Sequence, residues 1–121
     1  MEFKMEHSSI LVTDMKRTVD FYERAFGMTV RREKAAADRD IVFLGSELYP
    51  FQIEAIQMHD ASIAIDLGTA PTHVAFRAAD FDAAHALHEE MECIHHELPE
   101  FGVYFVSDPD GYLNEVMPVR K

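Results

Sequence analysis

SSILVTDMKRTVDFYERAFGMTV, residues 8–30, decides the fold. It reads as strand, helix, strand. Ile10 and Val12 alternate as strand side chains do. Asp14 is an N-cap residue, because its carboxylate can accept from backbone N–H groups of the first helical turn. Thr18, Phe21, Tyr22 and Ala25 then follow the helical spacing, and Gly27 stops the helix. Two more strands are expected, over DIVFLGS (40–46) and PFQIEAIQM (50–58).

THVAFRAADFDAAHALHEEM, residues 72–91, repeats the pattern. Val74, Phe76 and Ala78 alternate, Asp80 caps, and Ala84, Leu87, His88 and Met91 carry the helical spacing. Three short strands follow, over 93–97, FGVYFVS (101–107) and YLNEVMP (112–118). The last is entered through DPDGY, where Pro109 and Gly111 suit a type I turn. The two halves align without gaps through strand and helix. His7 precedes Asp14 by seven residues, and His73 precedes Asp80 by the same seven. Each half also ends in a strand carrying a glutamate, Glu54 or Glu115. The pattern is βαβββ written twice: module 1 over about 4–58, a linker at 59–70, and module 2 over about 71–119. The expected class is α+β, with two βαβββ modules forming a curved mixed sheet around a concave metal-binding cleft, all within a single domain spanning 1–121.

The composition narrows the partners. Against 22 acidic side chains stand 11 basic ones, a formal charge of −11, which argues against nucleic acid and anionic membranes. The single cysteine, Cys93, excludes an intrachain disulfide and suits a reducing compartment. No apolar run approaches a membrane span, and MEFKMEHSS lacks the apolar core of a signal peptide. A soluble cytoplasmic protein is expected.

Strand alternation puts the ionisable residues on one face. His7, Ser9 and Leu11 oppose Ile10 and Val12. Glu54 opposes Ile53 and Ala55, and His73 opposes Val74. Leu113, Glu115 and Met117 share a face. The fuller apolar side should pack under the helix, which leaves His7, Glu54, His73 and Glu115 together on the other. That other face also carries Leu11, Ile56, Leu113 and Met117, so its charges need partners. Two imidazoles and two carboxylates suit one divalent metal, Ni²⁺, Zn²⁺, Co²⁺, Fe²⁺ or Mn²⁺, with water at open positions. The plain alternative is that each is an ordinary strand residue, with Glu54 paired to Arg77 across the sheet. His59, His85, His88, His95 and His96 are read that way, as surface residues rather than a second metal site. The equivalent places of the four in two repeats favour the metal.

HSSILVTDMKRTVDFYERAFGM, FQIEA, THVAFRAAD and YFVSDPDGYLNEVMP together resemble the vicinal oxygen chelate superfamily, and within it glyoxalase I (lactoylglutathione lyase). The family's His, Glu, His and Glu fall on His7, Glu54, His73 and Glu115. The resemblance implies a lyase or isomerase acting on the hemithioacetal of an α-keto aldehyde and a thiol, through an enediolate. It implies Glu115 as the base, Glu54 as the opposing carboxylate, and His7 and His73 as ligands only. It also implies a homodimer, in which His7 and Glu54 of one chain can meet the other pair from the same chain or from its partner. The chain departs from the pattern at Leu11 and Met58, where glyoxalase I has an Arg and an Asn that hold glutathione. Lys34 and Arg39 are expected on loops and do not replace them. These departures argue against glutathione as the thiol and leave the substrate-binding residues open. The competing readings are another metal enzyme of the superfamily (an epimerase, thiol transferase or dioxygenase) and a metal-free drug-binding protein of the bleomycin-resistance type.

Overall fold

The structure is a computed structural model that describes residues 1–69 and 72–120. Its elements follow the order β1 (His7–Leu11), α1 (Met15–Phe26), β2 (Thr29–Ala35), β3 (Arg39–Ser46), β4 (Tyr49–Met58), β5 (His73–Ala78), α2 (Phe81–Glu90), β6 (Ile94–Leu98), β7 (Val103–Ser107) and β8 (Leu113–Pro118). This is α+β, with βαβββ twice. The chain divides into two compact units, Met1–Asp66 and Leu67–Lys121. The division falls inside the expected linker. The linker's last residue, 70, and the first of module 2, residue 71, lie outside the described residues.

Each unit holds one four-stranded mixed sheet and one helix. The first sheet has the order β1-β4-β3-β2 and the second β5-β8-β7-β6. In both, the first strand pairs in parallel with the last, and the remaining pairs are antiparallel. Even the register shifts correspond: β2 slips between Val30 and Arg32, and β6 between Ile94 and His96.

The helices begin as their caps require. Asp14 accepts from the Arg17 N–H at 3.1 Å, and Asp80 accepts from the Ala83 N–H at 3.0 Å. Gly27 closes α1 at φ 65°, a left-handed backbone that costs glycine nothing. Thr18, Tyr22 and Ala25 of α1 are buried, in a unit whose core also holds Val12, Val42, Leu44, Ile53 and Ala55. In the second unit Tyr104, Val106, Asn114 and Val116 are buried with His88 of α2.

Two expectations need correction. Lys34 and Arg39 stand in β2 and β3, not on loops, because the β2–β3 hairpin is tight and pairs Ala35 with Asp40. Arg77, the plain alternative's partner for Glu54, donates to the Pro118 carbonyl at 2.8 Å. His88 is 1% exposed and bonds the Tyr104 hydroxyl through Nδ1 at 2.8 Å, so it is a core residue. Its place beside Leu87 and Met91 in the helical spacing was the signal for that.

Candidate metal centre

The site residues come from the first and last strand of each unit. In the first unit Glu54 lies opposite Ser9 in the β1–β4 register, and His7 is two residues before Ser9. In the second, Glu115 lies opposite Ala75 in the β5–β8 register, and His73 is two residues before Ala75. One offset therefore serves both units. It brings His7 Nε2 to 3.7 Å from Glu54 Oε1, and His73 Nε2 to 3.1 Å from Glu115 Oε1. The glutamate side chains are 16% and 18% exposed, against 32% and 39% for the imidazoles. Each carboxylate is thus mostly withdrawn from water and depends on a polar neighbour.

A phenylalanine backs each pair. Phe43 of β3 lies opposite Glu54 and meets the His7 ring edge-on, with centroids 5.6 Å apart. Phe105 of β7 lies opposite Glu115 and meets His73 in the same way at 5.1 Å. The next strand adds a flat nitrogen group over each phenylalanine. Arg32 of β2 has its guanidinium carbon 4.1 Å from the Phe43 centroid, and the His96 ring of β6 stacks on Phe105 at 4.6 Å. Sequence reasoning missed Phe43, Phe105 and Arg32, and read His96 only as a surface residue. Their signal was the strand alternation of β2, β3, β6 and β7, but it can be read only once the register is known.

Two polar contacts distinguish the first unit. His7 Nδ1 lies 3.0 Å from Glu6 Oε2. A carboxylate beside the second ring nitrogen is the usual supporting partner of a metal-binding imidazole. The Ser9 hydroxyl donates to Glu54 Oε1. The matching residue in the second unit, Ala75, has no hydroxyl to offer Glu115.

The donor set fits a divalent cation. Bonds of about 2.0–2.2 Å put neighbouring donors on one ion about 3–3.5 Å apart, and the two His–Glu separations lie near that. Each unit supplies one imidazole and one carboxylate. Among the described residues, no group of three or more His, Cys, Asp or Glu side chains is gathered in a way that could hold an ion. The other histidines have their own partners. His85 Nε2 lies 2.5 Å from Glu97, His95 and His96 meet through their Nδ1 atoms at 2.7 Å, and His59 bridges Asp40 and the Ala37 carbonyl. The hydrogen bond to Asp40 raises the His59 pKa above its usual value.

This duplicated βαβββ fold is a known architecture. The sequence profile of the Glyoxalase/Bleomycin resistance protein/Dioxygenase superfamily matches residues 6–107, and the chain belongs to that superfamily. Among solved structures it is similar to the trypanothione-dependent glyoxalase I of Leishmania major, with 27% identity and a TM-score of 0.85 over 97% of this chain and 87% of that one. It is also similar to glyoxalase I from Zea mays, with 27% identity and a TM-score of 0.82. The chain is 98% covered in that comparison but spans only 45% of the maize enzyme. The fold is shared as well by TnmS3, an antibiotic-binding protein from Streptomyces sp. CB03234, at 16% identity and a TM-score of 0.73 over 98% of each chain. A comparison with curated proteins finds no match.

Proposed function

We propose that the protein is a divalent-metal-dependent lyase or isomerase of glyoxalase I type, acting on an α-keto aldehyde–thiol hemithioacetal. In this reading the two modules act as one domain, and His7, Glu54, His73 and Glu115 hold one Ni²⁺, Zn²⁺, Co²⁺, Fe²⁺ or Mn²⁺ ion. The observation that carries the reading is the repetition of the His–Glu pair at the same register offset in both sheets.

When bound, the cation supplies Lewis acidity to two neighbouring substrate oxygens. Glu115 takes the proton from one substrate carbon and returns it to the next. The Ser9 hydroxyl supports this division of labour, because it fixes Glu54 Oε1 while Ala75 leaves Glu115 without an equivalent restraint. His7 and His73 act as ligands, oriented by edge contacts with Phe43 and Phe105. The partners proposed are a small-molecule substrate and a second copy of the chain, in the cytoplasm.

Metal analysis of protein purified without chelator tests the reading first. A content near zero, with no gain on adding Ni²⁺, Co²⁺ or Zn²⁺, overturns it and favours a metal-free binding protein. With metal present, methylglyoxal turnover is assayed with a panel of thiols. Glu115→Gln is expected to keep the metal and lose turnover by about 10²–10⁴-fold, the contribution of a general base. Unchanged turnover removes Glu115 from that role.

A further inference from the structure

The face that carries His7 and Glu54 continues along β1 and β4 to Leu11 and Met58, each four residues farther on. Four strand residues span about 13 Å. At that end lies a pocket of about 330 Å³, whose apolar lining is Leu11, Val12, Met58, Ala61, Ile63 and Ile65. Its size falls at the lower end of small-molecule sites, about 300–1,000 Å³. Every lining residue belongs to the first unit.

Much of the polar lining already has partners within the chain. Gln57 Oε1 accepts from the Met15 N–H at 2.8 Å. Thr13 Oγ1 accepts from Arg17 Nη2 at 2.8 Å. Asp60 accepts from both the N–H and the hydroxyl of Ser62. His59 has both ring nitrogens occupied, by Ala37 and Asp40. Beyond His59, both nitrogens of Arg39 that face Asp38 are spent on its carboxylate, each at 3.0 Å. The fixed charges around the opening, Asp38, Asp40 and Asp60, are mostly negative. An anionic ligand group would meet like charge there, whereas an uncharged apolar group would bury itself against Leu11, Met58, Ile63 and Ile65.

We infer that this pocket binds the uncharged alkyl or aryl arm of the substrate and so selects an apolar thiol over one bearing carboxylates. The inference rests on the glyoxalase-type reading only for the identity of the occupant as a substrate. The pocket itself is built without the metal.

The experiment therefore reads binding, not turnover. Methyl-labelled protein is titrated with benzyl mercaptan and, separately, with mercaptosuccinate, and the methyl resonances of Leu11, Met58, Ile63 and Ile65 are followed by NMR. Benzyl mercaptan is expected to shift these methyls saturably, and mercaptosuccinate to leave them in place. Ile63 is 43% exposed, so Ile63→Asp should fold normally; it is expected to weaken benzyl mercaptan binding by about tenfold. Ile63→Leu should bind as the unaltered protein does. Equal shifts with mercaptosuccinate, no saturable shift with benzyl mercaptan, or full affinity in Ile63→Asp overturns the inference. Saturable binding by a protein that takes up no metal sustains the pocket and fails the enzyme reading, so the two failures are distinguishable.

Discussion

Ser9 stands opposite Glu54, and Ala75 stands opposite Glu115. That one difference between otherwise equivalent pairs predicts unequal roles. Ser9→Ala removes the hydrogen bond that fixes Glu54 and is expected to lower metal affinity by about 10–100-fold, the usual effect of losing a ligand's supporting partner. Competition with a chromogenic chelator measures it, and unchanged affinity would show that the serine does not position the ligand. Alternation alone placed Glu115 on a half-apolar face, because side-chain direction is a local property of the strand. The Ser9 contact needs the pairing of residues 45 apart, which local pattern does not contain. His59 makes a second residue-scale prediction. Its folded pKa is raised, chiefly by the bond to Asp40. A raised histidine pKa stabilises the fold fully below the unfolded value of about 6.5, and the contribution is lost as pH rises through the folded value. An NMR titration should place His59 above 6.5, and Asp40→Asn should bring it back towards that value. A His59 titration unmoved by Asp40→Asn would refute the pairing.

At the scale of elements, both helices were legible because their signals are local: Asp14 and Asp80 cap them, and Gly27 ends the first. The DPDGY turn was legible too. Gly111 N–H donates to the Asp108 carbonyl at 3.1 Å, and the buried Asp108 carboxylate accepts from the Asp110 and Tyr112 N–H groups. Strand ends were less legible. The expected strands at 93–97 and 101–107 became Ile94–Leu98 and Val103–Ser107, because pairing partners rather than composition set where a strand stops. Within α1 the fit is imperfect at Thr18. It is fully buried, and among the described residues its hydroxyl finds no hydrogen-bond partner. An unpaired buried hydroxyl is costly, so the isosteric Thr18→Val is expected to stabilise the protein by about 1 kcal/mol. A rise in the urea midpoint at constant slope checks this. A fall would mean that the hydroxyl has a partner in solution, such as a water molecule.

At the scale of the whole molecule, the repeat told most, because two copies of one pattern identify equivalent places that neither copy identifies alone. The pocket at Leu11 and Met58 was not legible, since its far wall, Ala61, Ile63 and Ile65, comes from residues read as linker. Neither unit holds more than two of the four proposed ligands, and two donors make a weak site. The proposed metal site therefore requires both pairs, from one chain or from two copies. In the proposed dimer the second pair comes from the partner copy. Chains carrying His7→Ala and Glu54→Ala are then mixed with chains carrying His73→Ala and Glu115→Ala. Neither variant alone should bind metal. After subunit exchange, half of the dimers are mixed, and each mixed dimer has one intact site of two. Metal binding should return to about a quarter of the unaltered level. No recovery, in a mixture that native mass spectrometry shows to have exchanged subunits, would place all four ligands within a single chain.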